Sequence, residues 1–291
     1  MSPNQSLKLC ISVLYYIYRS FLVTIMQVLK KQPEGKLIIL MYHGVKKHDR
    51  HKFARQMDEL LRIAKPVSLD TQEHLKKGKL YVAVTFDDGY QNMLENAIPE
   101  LHIRKIPATL FIPTGHMGKL PTWRIYRNNE YYDDLVLTHE QLKEISEITA
   151  SHEPLFKIGS HTVSHSNLTS ISGEQLKDEL ATSKKQLEDI LNKEIDSLAV
   201  PYGEYNKEVC EIARQVGYKK IFSANPDSSF NTIDMFVSGR TEVSPNDPFF
   251  VYRLKLLGAY QWLSKAIPLK RKCLKLVGLP KLLRMSNMST K

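Results

Sequence analysis

Cysteine is scarce, with 3 in 291 residues. Cys10, Cys210 and Cys273 are far apart and odd in number, which speaks against a disulfide framework and against a cysteine-built metal cluster. Such usage fits a reducing compartment. Internal repeats and low-complexity tracts are missing, so a solenoid or a linker array is not expected. Acidic residues stop at Asp247, and histidines stop at His165. After Asp247 the chain carries 10 basic residues and no acid. Of 41 Lys+Arg, 31 remain for the rest of the chain, against 31 Asp+Glu. The body is therefore neutral and the basicity is local. That argues against a nucleic-acid-binding core and for an anionic partner at the C-terminal end.

What is present is enough for a full core. Hydrophobic content is 42% and charged content 25%, ordinary for a globular protein. Tyr81 to Phe86 is a continuous apolar run of β-branched and aromatic residues, the pattern of a strand buried on both faces. It stops at Asp87, Asp88 and Gly89. Earlier, "KLIILMYHGV" (36–45) reads as a strand carrying His43 at its end. Later, "IPATLFIPTG", "FKIGSHTVSH", "DSLAVPYG", "KKIFSA" and "MFVSGRTEV" read as further strands. Between them, helical patterns are expected over 53–64, 92–105, 139–148 (opened by a Thr138/Gln141 capping box), 173–192 and 206–216. The β, α, β, α rhythm predicts a parallel α/β sheet or barrel. Leu120 to Val136 is a long aromatic loop with Trp123, Tyr126, Tyr131 and Tyr132, a length more common in functional loops.

The two ends depart from this rhythm. Residues 7–29 are mostly apolar, with Lys8 and Arg19 the only charges. A cleaved signal fits poorly, because Arg19 interrupts the run and no small-residue cleavage site follows. A transmembrane span would carry Arg19 near its middle, at a cost of about 3 kcal/mol. On a helical wheel Lys8, Ser12, Arg19 and Lys30 share one side, which favours a helix lying in the membrane interface, although Tyr16 and Val23 interrupt the polar arc. An ordinary core helix is the plainer alternative. At the other end, Pro248 to Ile267 predicts a single apolar-basic helix that opens a basic tail.

His161 and His165 have the H-x3-H spacing of metal ligands. They follow a strand, as Asp87 and Asp88 do, so all four are expected at one rim of the sheet. One carboxylate with two imidazoles makes the three-ligand set of a catalytic zinc site, and the second aspartate is free to act as a general base.

"TFDDGY", "SHTVSH" and "VPYG", in this order, resemble the first three motifs of the polysaccharide deacetylases, the carbohydrate esterase family 4 or NodB homology family. The resemblance runs from about His43 to Arg240 and implies a distorted (β/α) barrel and metal-dependent hydrolysis of N-acyl groups on sugars. Asp87 then resembles the catalytic base. Asp88, His161 and His165 resemble the ligands of a divalent metal, Zn2+ or alternatively Ni2+, Co2+ or Mn2+. Tyr202 resembles the residue whose backbone N–H faces the oxyanion. Two features depart from the commoner pattern. The arginine two residues before the proline of "PYG" is replaced by Ala199, and Arg240 is the expected substitute for orienting the base. The late Leu-His motif that supplies the general acid is absent, and His43 is its expected replacement, with a purely structural histidine as the bland alternative. These departures resemble the branch found in envelope polysaccharide biosynthesis.

The expected organisation is a membrane-interacting helix over 1–31, the catalytic domain over 32–247 and a basic amphipathic tail over 248–291. The expected partners are an N-acetylated saccharide, lipid-linked on this reading, and an anionic membrane surface, with no nucleic acid. The expected location is the cytoplasmic face of a membrane, the alternative being an anchored protein with its body outside. A sugar-binding protein without turnover, and a deacetylase of free chitooligosaccharide or peptidoglycan, are the competing functions.

Overall fold

Apolar runs bounded by turn residues become strands that all point one way. The computed structural model describes residues 3–28, 35–70, 75–123, 131, 133–226, 236–264 and 266. In chain order the strands are β1 (Lys36–Tyr42), β2 (Lys65–Pro66), β3 (Leu80–Phe86), β4 (Ala108–Ile112), β5 (Thr149–Ala150), β6 (Glu153–Pro154), β7 (Phe156–Ser160), β8 (Ser197–Ala199), β9 (Lys220–Ser223), β10 (Val237–Gly239) and β11 (Thr241–Glu242). Nine of them form one parallel sheet, ordered β10-β9-β8-β7-β4-β3-β1-β11 with β2 beside β3. β5 and β6 make a small antiparallel hairpin.

The sheet curls into a nearly closed barrel, and its closure turns on one residue. β10 pairs with β9 at one edge, and β11 pairs with β1 at the other. Only Arg240 separates β10 from β11. The sequence pattern predicts one strand from Met235 to Val243. The structure splits it, because the chain changes neighbours at Arg240 while remaining extended. The pleat then sorts the side chains. Leu37, Ile39, Tyr81, Ala83, Phe111, Ala199 and Phe222 share the inner cluster. Ile38, Leu40, Tyr42, Val82, Val84 and Phe86 join the larger core beneath the helices. Asp87 is the next position in the inward series 81, 83, 85.

The helices are α1 (Pro3–Val28), α2 (Arg50–Ile63), α3 (Asn92–Asn96), α4 (Ile98–Ile103), α5 (His139–Glu147), α6 (Gly173–Leu191), α7 (Lys207–Val216) and α8 (Phe249–Leu256). The Thr138/Gln141 capping box opens α5, and Gly217 closes α7 in the left-handed region. Two expected helices are each broken. The 92–105 helix divides at Ala97, where Pro99 enters the first turn of α4 without an N–H to donate. The helix expected over 248–267 stops after Leu256, where Gly258 has φ +75. A Cβ there would lie 2.3 Å from the Lys36 Nζ, which donates to the Leu257 carbonyl at 2.9 Å. Residues before that break belong to the body, since Tyr252 and Leu256 are in the main core and the Tyr252 hydroxyl donates to the Gln56 carbonyl. Residues 267–291, most of the basic run, lie outside the described part.

α1 is long and apolar enough to cross a membrane, over Asn4–Ile25. It packs on α8 and the turn after it. Leu9 and Tyr16 meet Val251, Leu254, Ala259, Tyr260 and Leu263, and the Trp262 Nε1 donates to the buried Ser12 Oγ at 2.9 Å. Of the residues the helical wheel groups on the polar side, Ser12 is buried against the body, whereas Arg19 is exposed.

Candidate metal centre and active site

Each site residue stands just beyond the C-terminal end of a strand. The register pairs Tyr42 with Phe86, and the Asp87 N–H donates to the Tyr42 carbonyl at 2.9 Å. His43 and Asp87 are therefore neighbours across the top of β1 and β3. β4 and β7 pair as far as Ile112 with Ser160, and the His161 N–H donates to the Ile112 carbonyl. That leaves the SHTVSH turn on the same rim. Glu179 on α6 holds this turn, accepting from the Val163 and Ser164 N–H groups (3.0 Å each) and from the Ser164 hydroxyl (2.6 Å). Asn167 ties it to Glu204 after the PYG turn at 2.9 Å.

Backbone strain concentrates here. Asp88 (φ 67), Thr162 (φ 68), His165 (φ 56) and Tyr202 (φ 59) are left-handed without being glycine. Each such residue costs roughly 1–3 kcal/mol, a cost tolerated where geometry matters more than stability. The Thr162 hydroxyl accepts from the His165 N–H at 3.1 Å and fixes that turn.

Asp88, His161 and His165 are all buried, and one ligand atom from each lies within 4.8 Å of the others. Asp88 Oδ1 is 3.3 Å from His165 Nε2 and 3.6 Å from His161 Nε2. Two ligand atoms about 2.1 Å from a tetrahedral ion lie about 3.4 Å apart, so the spacing suits a small divalent cation. Asp88 Oδ1 is buried and makes no hydrogen bond, as expected of an atom reserved for a metal. The His161 Nδ1 lies 2.7 Å from the Ala199 carbonyl. A carbonyl only accepts, so Nδ1 carries the proton and the Nε2 lone pair faces Asp88. The donor set fits a metal. Ala199 thus holds His161 through its backbone carbonyl.

Ionisation follows from packing. Burial pushes the His161 imidazole down to about 4, so it stays neutral and able to ligate near neutral pH. Burial alone would raise the Asp88 carboxyl, but His165 beside it outweighs burial and holds it below the usual carboxylate range. Burial would raise Asp87 as well, yet the Arg240 guanidinium prevails and lowers it.

The Arg240–Asp87 contact is a two-pronged ion pair. Nη1 donates to Asp87 Oδ1 at 2.6 Å and Nη2 to Oδ2 at 2.7 Å. Nη1 also reaches the Thr85 hydroxyl (3.2 Å), and Nε the Ser223 carbonyl (3.3 Å). Arg240 is fully buried, so its charge has no solvent to lean on and is matched within the barrel. The structure thus brings Arg240 against Asp87, the placement expected of a substitute for the missing arginine. His43 is half-buried beside Asp87 at the top of β1 and β3. Tyr202 lies on the open side, with its ring edge-on to His165 at 5.0 Å.

Some site residues escape sequence reasoning. Trp123 stacks on His165 with centroids 4.4 Å apart, and His116 meets Trp123 edge-on at 4.9 Å. The aromatic loop was visible in the sequence, but its target was not. Tyr131 stacks on Tyr90 and donates to the Gly44 carbonyl beside His43. Tyr126 and Tyr132 lie outside the described residues. Glu179 carries no motif, being one polar position among many on α6.

A parallel barrel with a His, His, Asp cluster and a buried aspartate at its rim defines a class of hydrolases. The polysaccharide deacetylase family model matches residues 74–221, half of the chain. The chain belongs to the polysaccharide deacetylase family. It is 27% identical over 228 residues to YxkH of Bacillus subtilis (strain 168), assigned to the polysaccharide deacetylases, with 75% of each chain covered. It is 30% identical over 154 residues to the poly-beta-1,6-N-acetyl-D-glucosamine N-deacetylase of Staphylococcus aureus (strain MSSA476), covering 51% of this chain and 50% of that one. The chain thus spans half the length of that staphylococcal relative. Among solved structures, IcaB from Ammonifex degensii superposes with a TM-score of 0.60 at 24% identity, covering 79% of this chain and 98% of that one. That likeness concerns the fold. Asp87, Asp88, His161, His165 and Tyr202 fall within the matched residues, whereas His43 and Arg240 lie outside them.

Proposed function

We propose that this protein hydrolyses the N-acetyl group of an amino sugar in an envelope polysaccharide, releasing acetate and a free amine. The observation that carries this is the Arg240-paired carboxylate of Asp87 next to three convergent ligand atoms. Asp88, His161 and His165 hold a divalent metal, zinc by the chemistry of the donors, with Ni2+, Co2+ and Mn2+ fitting the same set. When bound, that metal supplies Lewis acidity to the acyl carbonyl and to a water. Asp87, kept ionised by Arg240, takes the proton of the attacking water. The Tyr202 backbone N–H faces the developing oxyanion. His43 gives a proton to the departing amine. Tyr202 and Trp123, both against His165, form aromatic walls on which a sugar ring can lie.

The saccharide class is inferred from the names of the relatives, one of which acts on poly-β-1,6-linked N-acetylglucosamine. The test is acetate release from β-1,6-linked and β-1,4-linked N-acetylglucosamine oligomers by protein stripped of metal and then reloaded. Metal-dependent release from the β-1,6 oligomer supports the reading. Release from the β-1,4 oligomer alone moves the substrate to chitooligosaccharide or peptidoglycan. A fully loaded protein that binds either oligomer and releases nothing is a sugar-binding homologue.

The exposed side of α1 and the basic C-terminal run support attachment to an anionic membrane surface. A lipid-linked saccharide is then within the substrate range. The basic flanks of α1 support a body on the cytoplasmic side. Protease accessibility in sealed vesicles of known orientation checks that side, and digestion only from the outer face would reverse it.

A further inference from the structure

One face of α1 packs on the body through Leu9, Ser12 and Tyr16, and the opposite face is left to solvent. Leu7, Leu14, Ile17, Tyr18, Phe21 and Ile25 are exposed, with Leu14 at 66% and Phe21 at 64%. Their spacing of seven, three, one, three and four residues keeps them in one stripe along a 26-residue helix. The inward side carries Ser12, bonded to Trp262, while Arg19 on the same helix is exposed. An apolar stripe turned away from the body is the arrangement of a helix lying in a lipid surface. Beyond Arg253 and Lys255, which pair with Glu59 and Asp247, the sequence after Asp247 carries eight further basic residues and no acid, charge of the sign that anionic headgroups attract.

The seat of α1 fixes where that surface is. Its neighbours are α8 and the turn after it, and the Leu257 carbonyl of that turn accepts from Lys36, the first residue of β1. The catalytic residues stand at the other end of the same strands. From Lys36 to His43 is seven residues of extended chain, about 23 Å. A helix in the interface sinks only about 5–10 Å into the lipid.

Building on the membrane attachment proposed above, we infer that α1 seats the base of the barrel on an anionic bilayer and holds the catalytic rim off the lipid, open to the aqueous side. The rim then meets sugars that extend away from the surface. A lipid-linked chain presents its membrane-distal residues, and the sugar next to the lipid stays out of reach.

The test uses the full chain with its three cysteines changed to serine and one new cysteine at a time, Phe21→Cys or Tyr205→Cys, each carrying an environment-sensitive dye. Tyr205 is exposed beside the PYG turn. Vesicles of phosphatidylcholine and phosphatidylglycerol carry a quencher at headgroup depth. The expected result is co-sedimentation of both labelled proteins, loss of emission at position 21 and unchanged emission at position 205. Quenching at both positions overturns the orientation while leaving membrane attachment standing. Sedimentation without quenching at 21 means the tail alone binds, which also overturns it. Absence of sedimentation removes the attachment and the inference together. Leu14→Ser with Phe21→Ser in the same chain is expected to lose sedimentation while retaining acetate release from a soluble oligomer.

Discussion

The catalytic rim and the outer face of α1 both break the rule that charge lies outside and apolar surface inside, in opposite directions. At the rim, Asp87, Asp88 and Arg240 are buried, and each is answered from within the chain or by the expected metal. On α1, Leu14 and Phe21 are open to solvent. Buried charge is costly unless it is paired in place, so its partners can be read from the structure. Exposed apolar surface costs the fold little, so its partner is sought outside the chain. The first kind of exception points to chemistry, the second to location.

The sharpest way to break this contrast is to remove the metal ligands. The His161→Ala, His165→Ala pair should bring metal content to background and abolish acetate release, measured by elemental analysis beside the assay. Full occupancy in that double variant would mean the ligands lie elsewhere. Next, Asp87→Asn should keep the metal and lose about 10²–10⁴ in kcat, because a general base is gone and no ligand is. A metal-free Asp87→Asn protein would exchange the roles of the two aspartates.

Arg240→Ala should cost about 3–5 kcal/mol in denaturant unfolding, since it leaves a buried carboxylate unmatched. It should also move the acidic limb of kcat/KM to higher pH. The sign follows from Asp87, whose carboxyl is held low in the fold. The pair stabilises the protein above the ordinary carboxylate range, and that stabilisation fades as pH falls through the lowered value. Without the guanidinium the carboxyl titrates at higher pH, so the active, ionised form is lost sooner on acidification. An unmoved limb would detach Arg240 from the base. His43→Ala should lower kcat by on the order of 10² with metal content unchanged, and a normal kcat would leave His43 a structural residue. The smallest effect belongs to the other region. Phe21→Ser should change unfolding free energy in solution by less than about 0.5 kcal/mol, as its side chain is mostly solvent-exposed. A large loss would show that the stripe packs against the protein.

Local pattern made the strand ending at Phe86, the two aspartates and the H-x3-H turn legible, because each is written in adjacent residues. The family resemblance then implied the barrel and assigned the roles. What stayed hidden depends on partners far along the chain. The run from Met235 to Val243 reads as one strand, since periodicity does not say that its two halves pair with different edges. Ser12 reads as polar surface, and only Trp262, 250 residues away, makes it a buried contact. Trp123 is visibly unusual, but its stacking on His165 belongs to the folded loop. Pro99 could have been read directly, as it breaks the interior of a helix and is accommodated in the first turn of a new one.

The split last strand has a consequence for a chain still being made. Asp87, Asp88, His161 and His165 are all translated before Arg240, so a metal could be gathered while the barrel is open. The guanidinium that pairs with Asp87 arrives only when the chain crosses from β9 to β1 and seals the seam. On the proposed mechanism, a nascent or nicked protein lacking that crossing would keep its three candidate ligands and have no poised base.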